Sequence, residues 1–199
     1  FQARHRITRA FDMLRNQVAK LHPENEPIVV AVTAPGAHCG ASVTAANLAL
    51  SFARVTSGRT LLVDADRDAP AVSKLLGLPA SATSVSDSHT GKHVLARIQG
   101  IDLNLLCLPR TKSRPSHPNQ LAVEMGKLQQ ALRPAVTVID LAPMLSCDET
   151  VPVLLQADVV VLVVANAQTT RSEYEVCRSF FRPDHKVQVV LNKAGRHGL

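Results

Sequence analysis

The sequence has no apolar run long enough to cross a bilayer: its longest stretches, such as Val159 to Ala165, fall far short of the roughly 20 residues a spanning helix needs. The N-terminal segment also lacks the apolar core of a secretory signal. Together these absences lead to the expectation of a cytoplasmic chain. Cysteine is sparse: Cys39, Cys107, Cys147 and Cys177 form no C-x-x-C pair, so neither a zinc site nor a disulfide framework is indicated, and reduced thiols are expected. Charged residues make up only 19% of the chain, too few for a disordered protein, while 46% hydrophobic content over 199 residues suits one domain with a substantial core. Tyrosine occurs once, at Tyr174. There is no internal repeat. The first residue is Phe1 rather than Met, which leads us to expect a chain trimmed from something longer.

The net charge of +6 is concentrated early, in Arg4, Arg6, Arg9 and Arg15. A solvated helix face is the preferred reading over a nucleic-acid or membrane patch. Ile7, Phe11, Leu14 and Val18 recur at three- and four-residue spacing, which predicts a helix over Ile7 to Leu21, ended by the proline-containing His22 to Pro27. This divides the domain into an N-terminal helix and linker, 1–26, and a core, 27–199. The continuous apolar run Ile28 to Val32 predicts a strand buried on both faces. Further strands are predicted at Thr60 to Asp64, Leu103 to Leu108, Val136 to Asp140, Val159 to Val164 and Val187 to Leu191. Helices are predicted between them at Ser42 to Thr56, Ala69 to Leu76, Asn119 to Leu132, Glu149 to Leu155 and Thr170 to Phe181. Strand and helix alternating along the chain predict an α/β doubly wound, mainly parallel sheet with helices on both faces and ligands at the C-terminal ends of the strands. Ser81 to Gly91 and Pro109 to Pro118 read as surface loops.

The first strand runs into Thr33-Ala34-Pro35-Gly36-Ala37-His38-Cys39-Gly40-Ala41-Ser42 and then a helical stretch beginning at Val43. Strand, small-residue loop and helix N-terminus make an anion cradle, because free backbone N–H groups and the helix dipole point at one spot. Measured against G-x-x-x-x-G-K-[ST], Gly40 and Ser42 are kept, whereas Pro35 stands at the first glycine and Ala41 at the lysine. That lysine normally brings a full positive charge to the phosphates. His38 also stands where glycine would let the backbone approach a phosphate. Both changes argue against tight binding of ATP or ADP with Mg²⁺. The second strand ends in Asp64-Ala65-Asp66-Arg67 and another in Asp140, carboxylates placed to serve Mg²⁺ and its waters together with the Ser42 hydroxyl. Cys39 at a helix N-terminus is a candidate activated thiol, although a buried inert cysteine is the commoner case.

A P-loop, then D-x-D, then an apolar strand ending in Asp140-Leu141-Ala142-Pro143, resembles the bacterial tyrosine kinases (BY-kinases) that accompany polysaccharide export, within the MinD and ParA group of P-loop ATPases. The resemblance runs nearly end to end through Ala45 to Ala49, Leu61 to Arg67, Leu75 to Leu78, Leu108-Pro109, Pro118 to Leu121 and Val190 to Lys193. It implies a P-loop NTPase fold, with Asp64, Asp66 and Asp140 as the catalytic carboxylates and Ser42, Asp64 and Asp140 around the metal. Gly36, Cys39, Gly40, Ala41, Ser42 and Val43 would line the phosphate site, and Asn192 would contact adenine. It further implies a membrane polysaccharide co-polymerase or chain-length regulator as partner, a location at the inner membrane through that partner, a homo-oligomer, and no nucleic acid.

Three departures stand out. The loop lysine is missing. Arg9, Asp12 and Arg15 occupy the positions of the family's Glu-x-x-Arg-x-x-Arg ring-assembly motif, two of them changed, and Arg9 with Asp12 reads as a charge-swapped pair. The family's C-terminal tyrosine cluster is reduced to Tyr174, on a predicted helix where packing is the expected role. The first reading is therefore a catalytically impaired, pseudokinase-like interaction partner in exopolysaccharide or capsule export. An alternative is an active tyrosine autokinase in which Arg67, Lys193 or a neighbouring subunit supplies the missing cation. A MinD- or ParA-like positioning ATPase is the third.

Overall fold

The computed structural model describes residues 6–78, 92–98, 100–108 and 119–195. Six strands and six helices follow the sequence order expected, and one further strand joins them: α1 (Arg6–Ala19), β1 (Ile28–Thr33), α2 (Ala41–Ala53), β2 (Thr60–Asp64), α3 (Val72–Leu75), β3 (Lys92–Ile98), β4 (Ile101–Cys107), α4 (Gln120–Leu132), β5 (Val136–Asp140), α5 (Thr150–Leu154), β6 (Val159–Ala165), α6 (Arg171–Ser179) and β7 (Val187–Asn192). The strands lie in the order β3-β4-β2-β5-β1-β6-β7. All neighbours are parallel except β3, which pairs antiparallel with β4. The loops expected at 81–91 and 109–118 lie outside the described residues.

The unbroken apolar strands have a direct structural cause. Successive side chains on a strand point to opposite faces. On one face Val30, Val32, Leu62, Val138, Val161 and Val163 pack with Leu48, Ala49 and Phe52 of α2, over which α1 places Leu14 and Val18. On the other, Ala31, Leu61, Val63, Ile139, Val160 and Leu162 pack with Leu121 and Met125 of α4, Val153 and Leu154 of α5, and Cys177 of α6. Each fully buried Val or Leu contributes roughly 1.5–3 kcal/mol. Small residues on α2, Ala45, Ala46 and Ala49, let that helix lie close against the sheet.

Three expectations are corrected. The helix expected from Ala69 spans only Val72–Leu75, because Pro70 pushes the residue before it out of helical conformation. Lys92–Ile98, not expected as a strand, forms β3 and folds back on β4 through Gly100 at φ +81°. Its mixture of charged and apolar residues lacks a clear two-residue alternation, and antiparallel pairing to one neighbour supplies the order instead.

The third correction concerns α1. Asp12 does not pair with Arg9: its carboxylate is held by Arg54 and by the Ser51 hydroxyl (2.6 Å) on α2, and by Arg15 (3.3 Å). Arg15, expected on the solvated face, is only 14% exposed and donates to the Ser51 carbonyl (3.1 Å). Burial works against the ionised Asp12, yet the bonds from Ser51 and Arg54 outweigh it and bring its pKa below the usual 3.8. Replacing Asp12 with Ala strands these donors and lowers stability by about 1–3 kcal/mol at neutral pH. A lowered folded pKa gives stability that is present above the unfolded value and lost as pH falls through the folded one. Urea titrations from pH 7 downward check this: the gap between the variant and the natural protein should narrow as pH falls below 3.8.

Candidate nucleotide site

Sheet order positions the site. β1 lies between β5 and β6, and β5 lies between β1 and β2. The register aligns Val32, Asp140 and Asp64 side by side across β1, β5 and β2. In-register residues of parallel strands face the same way, so both carboxylates lie on the α2 side, beneath the loop that leaves β1. The chain beyond β5 ties that loop down: the Met144 N–H donates to the Ala34 carbonyl (2.9 Å), and the Thr33 and Thr150 hydroxyls both donate to the Ala142 carbonyl (2.9 and 3.1 Å).

The loop has the cradle geometry the sequence implies. His38 and Gly40 adopt φ of +61° and +98°. Gly40 is required twice over, by that dihedral and because a Cβ there would lie 2.2 Å from the Asn192 amide nitrogen. Gly40 caps α2 without a side-chain hydrogen bond. Among the described residues, no acceptor takes the N–H of any residue from Gly36 to Val43; the first paired amide is that of Thr44, on the Gly40 carbonyl (3.0 Å). Gly36, Gly40, Ala41 and Ser42 are half-buried, Val43 is exposed, and Cys39 is buried with its thiol 3.6 Å from the Thr169 hydroxyl. Burial accords with an inert cysteine.

Below the loop the buried carboxylates are only partly satisfied. Asp140 is fully buried and neither of its oxygens has a hydrogen bond; Asp64, 1% exposed, uses Oδ2 to accept from the Val72 N–H (3.0 Å) and leaves Oδ1 unpaired. Burial pushes Asp140 up to about 8, with the charges of Asp64 and Asp66 adding to the shift and the neighbouring Ser42 hydroxyl opposing it. Burial likewise raises Asp64 to about 6, against the Val72 amide. Asp66 is half-buried and accepts from the Ala69 N–H (3.0 Å). Among the described residues no cluster of three or more His, Cys, Asp or Glu forms a complete metal site. An incomplete donor set fits Mg²⁺, which keeps several waters and takes the rest of its ligands from phosphate. Unpaired buried oxygens beside a hydroxyl fit such an ion.

The two cations suggested as substitutes for the lysine are both engaged. Arg67, 8% exposed, forms an ion pair with Glu124 of α4. Lys193 donates to the Gln168 side chain (2.9 Å), which donates in turn to the Ala37 carbonyl (2.8 Å). Asn192 is brought to the loop itself, with Nδ2 on the Cys39 carbonyl (2.9 Å) and Oδ1 accepting the Lys193 N–H (2.8 Å). Tyr174 is half-buried and packs on the α4–α6 face of the core. Gln168 and Thr169 went unnoticed in the sequence; their place just after the C-terminal end of β6, where ligands bind in such sheets, was the available signal.

No protein-family model matches the chain, and no curated protein matches it in sequence. Solved structures do. The chimerical protein CapA2B2 superposes with a TM-score of 0.78 at 22% identity, covering 97% of this chain and 87% of that one. The kinase domain of the Escherichia coli tyrosine kinase ETK gives 0.69 at 15% identity, over 94% and 77% of the two chains. This is the P-loop fold of a bacterial tyrosine-kinase domain. The cobyrinic acid a,c-diamide synthase of Mycobacterium smegmatis, solved with ADP and magnesium, matches at 0.60 and 19% identity over 83% and 74%. The chain thus shares its fold with a tyrosine-kinase domain and with a synthase solved with ADP and magnesium. Among its described residues no helix is long and apolar enough to cross a membrane.

Proposed function

We propose that this chain is a catalytically impaired BY-kinase-like domain that binds Mg²⁺-nucleotide weakly and acts as a regulatory partner in bacterial exopolysaccharide or capsule export. The observation that carries this reading is Ala41 at the first position of α2, with Arg67 committed to Glu124 and Lys193 to Gln168. Of the two substitutes the sequence offered, Arg67 pairs with Glu124 through one nitrogen and keeps Nε and Nη1 without partners, and Lys193 is held by Gln168. Gly36 to Val43 with their unpaired N–H groups would take the phosphates; Ser42, Asp64 and Asp140 would hold the ion, and Asp66 would stand at the reacting end. Bound Mg²⁺ would neutralise phosphate charge. The kinase-type fold supports docking on a membrane co-polymerase or chain-length regulator, which would bring the domain to the inner membrane.

Calorimetric titration of the natural protein with Mg²⁺ and ADP should give measurable but weak binding, and phosphate release from ATP should stay near background. Turnover typical of an active kinase, abolished by Asp140→Asn, would overturn the proposal. The retained, unpaired Asp140 and Asp64 oxygens favour one second reading, an active autokinase whose cation comes from a neighbouring subunit. Phosphotransfer that appears only when the membrane partner is added would establish it. A MinD- or ParA-like role ranks last, because Pro35-Gly36-Ala37 lacks the early lysine of those proteins.

A further inference from the structure

The phosphate loop is gripped from outside by groups that no nucleotide-binding motif in the sequence singles out as a unit. The peptide carbonyl of Ala37 accepts from Gln168 Nε2 at 2.8 Å, and that of Cys39 accepts from Asn192 Nδ2 at 2.9 Å. Within a trans peptide unit the C=O and the following N–H point in opposite directions. Anchoring the Ala37 carbonyl therefore turns the His38 N–H the other way, and anchoring the Cys39 carbonyl does the same for Gly40. Both amides are free of protein acceptors. His38 and Gly40, which follow the two anchored carbonyls, take φ of +61° and +98° with Cys39 between them outside the positive-φ region, a backbone alternation of the kind from which successive N–H groups converge on an anion.

The clasp is itself braced. Lys193 Nζ donates to Gln168 Oε1 at 2.9 Å, which fixes the amide so that its NH₂ faces Ala37. The Lys193 backbone N–H donates to Asn192 Oδ1 at 2.8 Å, which fixes the second amide with its NH₂ toward Cys39. Each side-chain amide thus has one orientation that satisfies both neighbours. The backbone joins the two arms, since the Asn166 N–H donates to the Asn192 carbonyl at 2.9 Å. Ala167 and Lys193, at φ of +58° and +55°, sit in left-handed conformations beside the two amides they help to aim.

We propose that Asn192 and Gln168, the latter braced by Lys193, are positioning residues that set the loop's N–H groups for phosphate, in a loop that has no lysine to organise it. The inference rests on the reading that the loop receives a polyphosphate. It differs from the role the family resemblance gives Asn192: a base contact would act on the nucleoside, whereas a clasp acts on the phosphate site alone.

Two probes separate these roles, Mg²⁺-ADP and Mg²⁺-pyrophosphate, titrated calorimetrically into the natural protein, Asn192→Ala and Gln168→Met, with melting temperatures recorded alongside. Loss of one anchoring hydrogen bond should weaken both ligands by the same factor, about tenfold, in each variant, with melting temperatures near that of the natural protein. Gln168→Met changes an exposed side chain and carries the test even if Asn192→Ala unfolds. Unchanged affinities overturn the proposal, as does a loss confined to ADP, which would make Asn192 a base contact. Failure of the natural protein to bind either probe would instead overturn the nucleotide reading, and the clasp's role with it.

Discussion

Replacing Ala41 with Lys should raise ATP turnover by roughly a hundred- to a thousand-fold, the usual effect of one preorganised charge-stabilising group, about 2.7–4 kcal/mol. The proposed site keeps groups for such a lysine to work with. Residue 41 opens α2 beside unpaired amides, and Ser42, Asp64 and Asp140 lie beneath it. Without an anion the new ammonium faces the positive end of the helix dipole, which costs about 0.3–1 kcal/mol. The variant should therefore melt slightly lower than the natural protein alone and higher than it with Mg²⁺-ADP. Steady-state phosphate release measures the gain, and Asp140→Asn in the same background should remove it. An Ala41→Lys protein with background turnover would mean that Pro35 and His38, not the missing lysine, disable the loop.

Asp140→Asn should stabilise the metal-free protein at alkaline pH by a few kcal/mol while leaving it nearly unchanged near pH 4. The Asp140 carboxyl keeps its proton to about 8 in the folded state, against 3.8 as its ordinary value. Over that window the folded state binds more protons than the unfolded one, so stability falls as pH rises, by at most about 1.4 kcal/mol per unit for one carboxyl. Asparagine has nearly the same shape and no proton to lose. Asp64, raised to about 6, adds a slope of the same sign that ends lower. Urea denaturation between pH 4 and 9 in EDTA measures the difference. Parallel profiles for the two proteins would mean that solvent compensates the buried charge. With Mg²⁺-ADP present the order should reverse at high pH, because the ion favours the carboxylate that Asn lacks.

The fold was legible because its strands carry local information. Runs such as Ile28 to Val32 and Val159 to Val164 are apolar at every position, a pattern that only a strand covered on both faces requires, and the two helix layers supply that cover. Helix ends were less legible where proline intervened, as at Pro70. β3 was illegible, since its order comes from pairing with β4 and not from its own pattern. At the site, the small-residue loop and strand-terminal Asp64 and Asp140 announced themselves by position. The pairing of Asp12 with Arg54, 42 residues away, could not be read from helical spacing, which sees only neighbours three and four apart.

The sequence alone determined that this is a doubly wound α/β domain of the P-loop type with a small-residue loop after its first strand, because both facts are written in contiguous residues. Tertiary structure alone decided what surrounds that loop. Strand order set Asp64 against Asp140 and left three of their four oxygens unpaired. The placing of β6 beside β1 and of β7 beside β6 brought Gln168 and Asn192 onto the loop carbonyls across separations of 131 and 153 residues. Contacts over such distances follow from the path of the whole chain through the sheet, which no local pattern of side chains specifies.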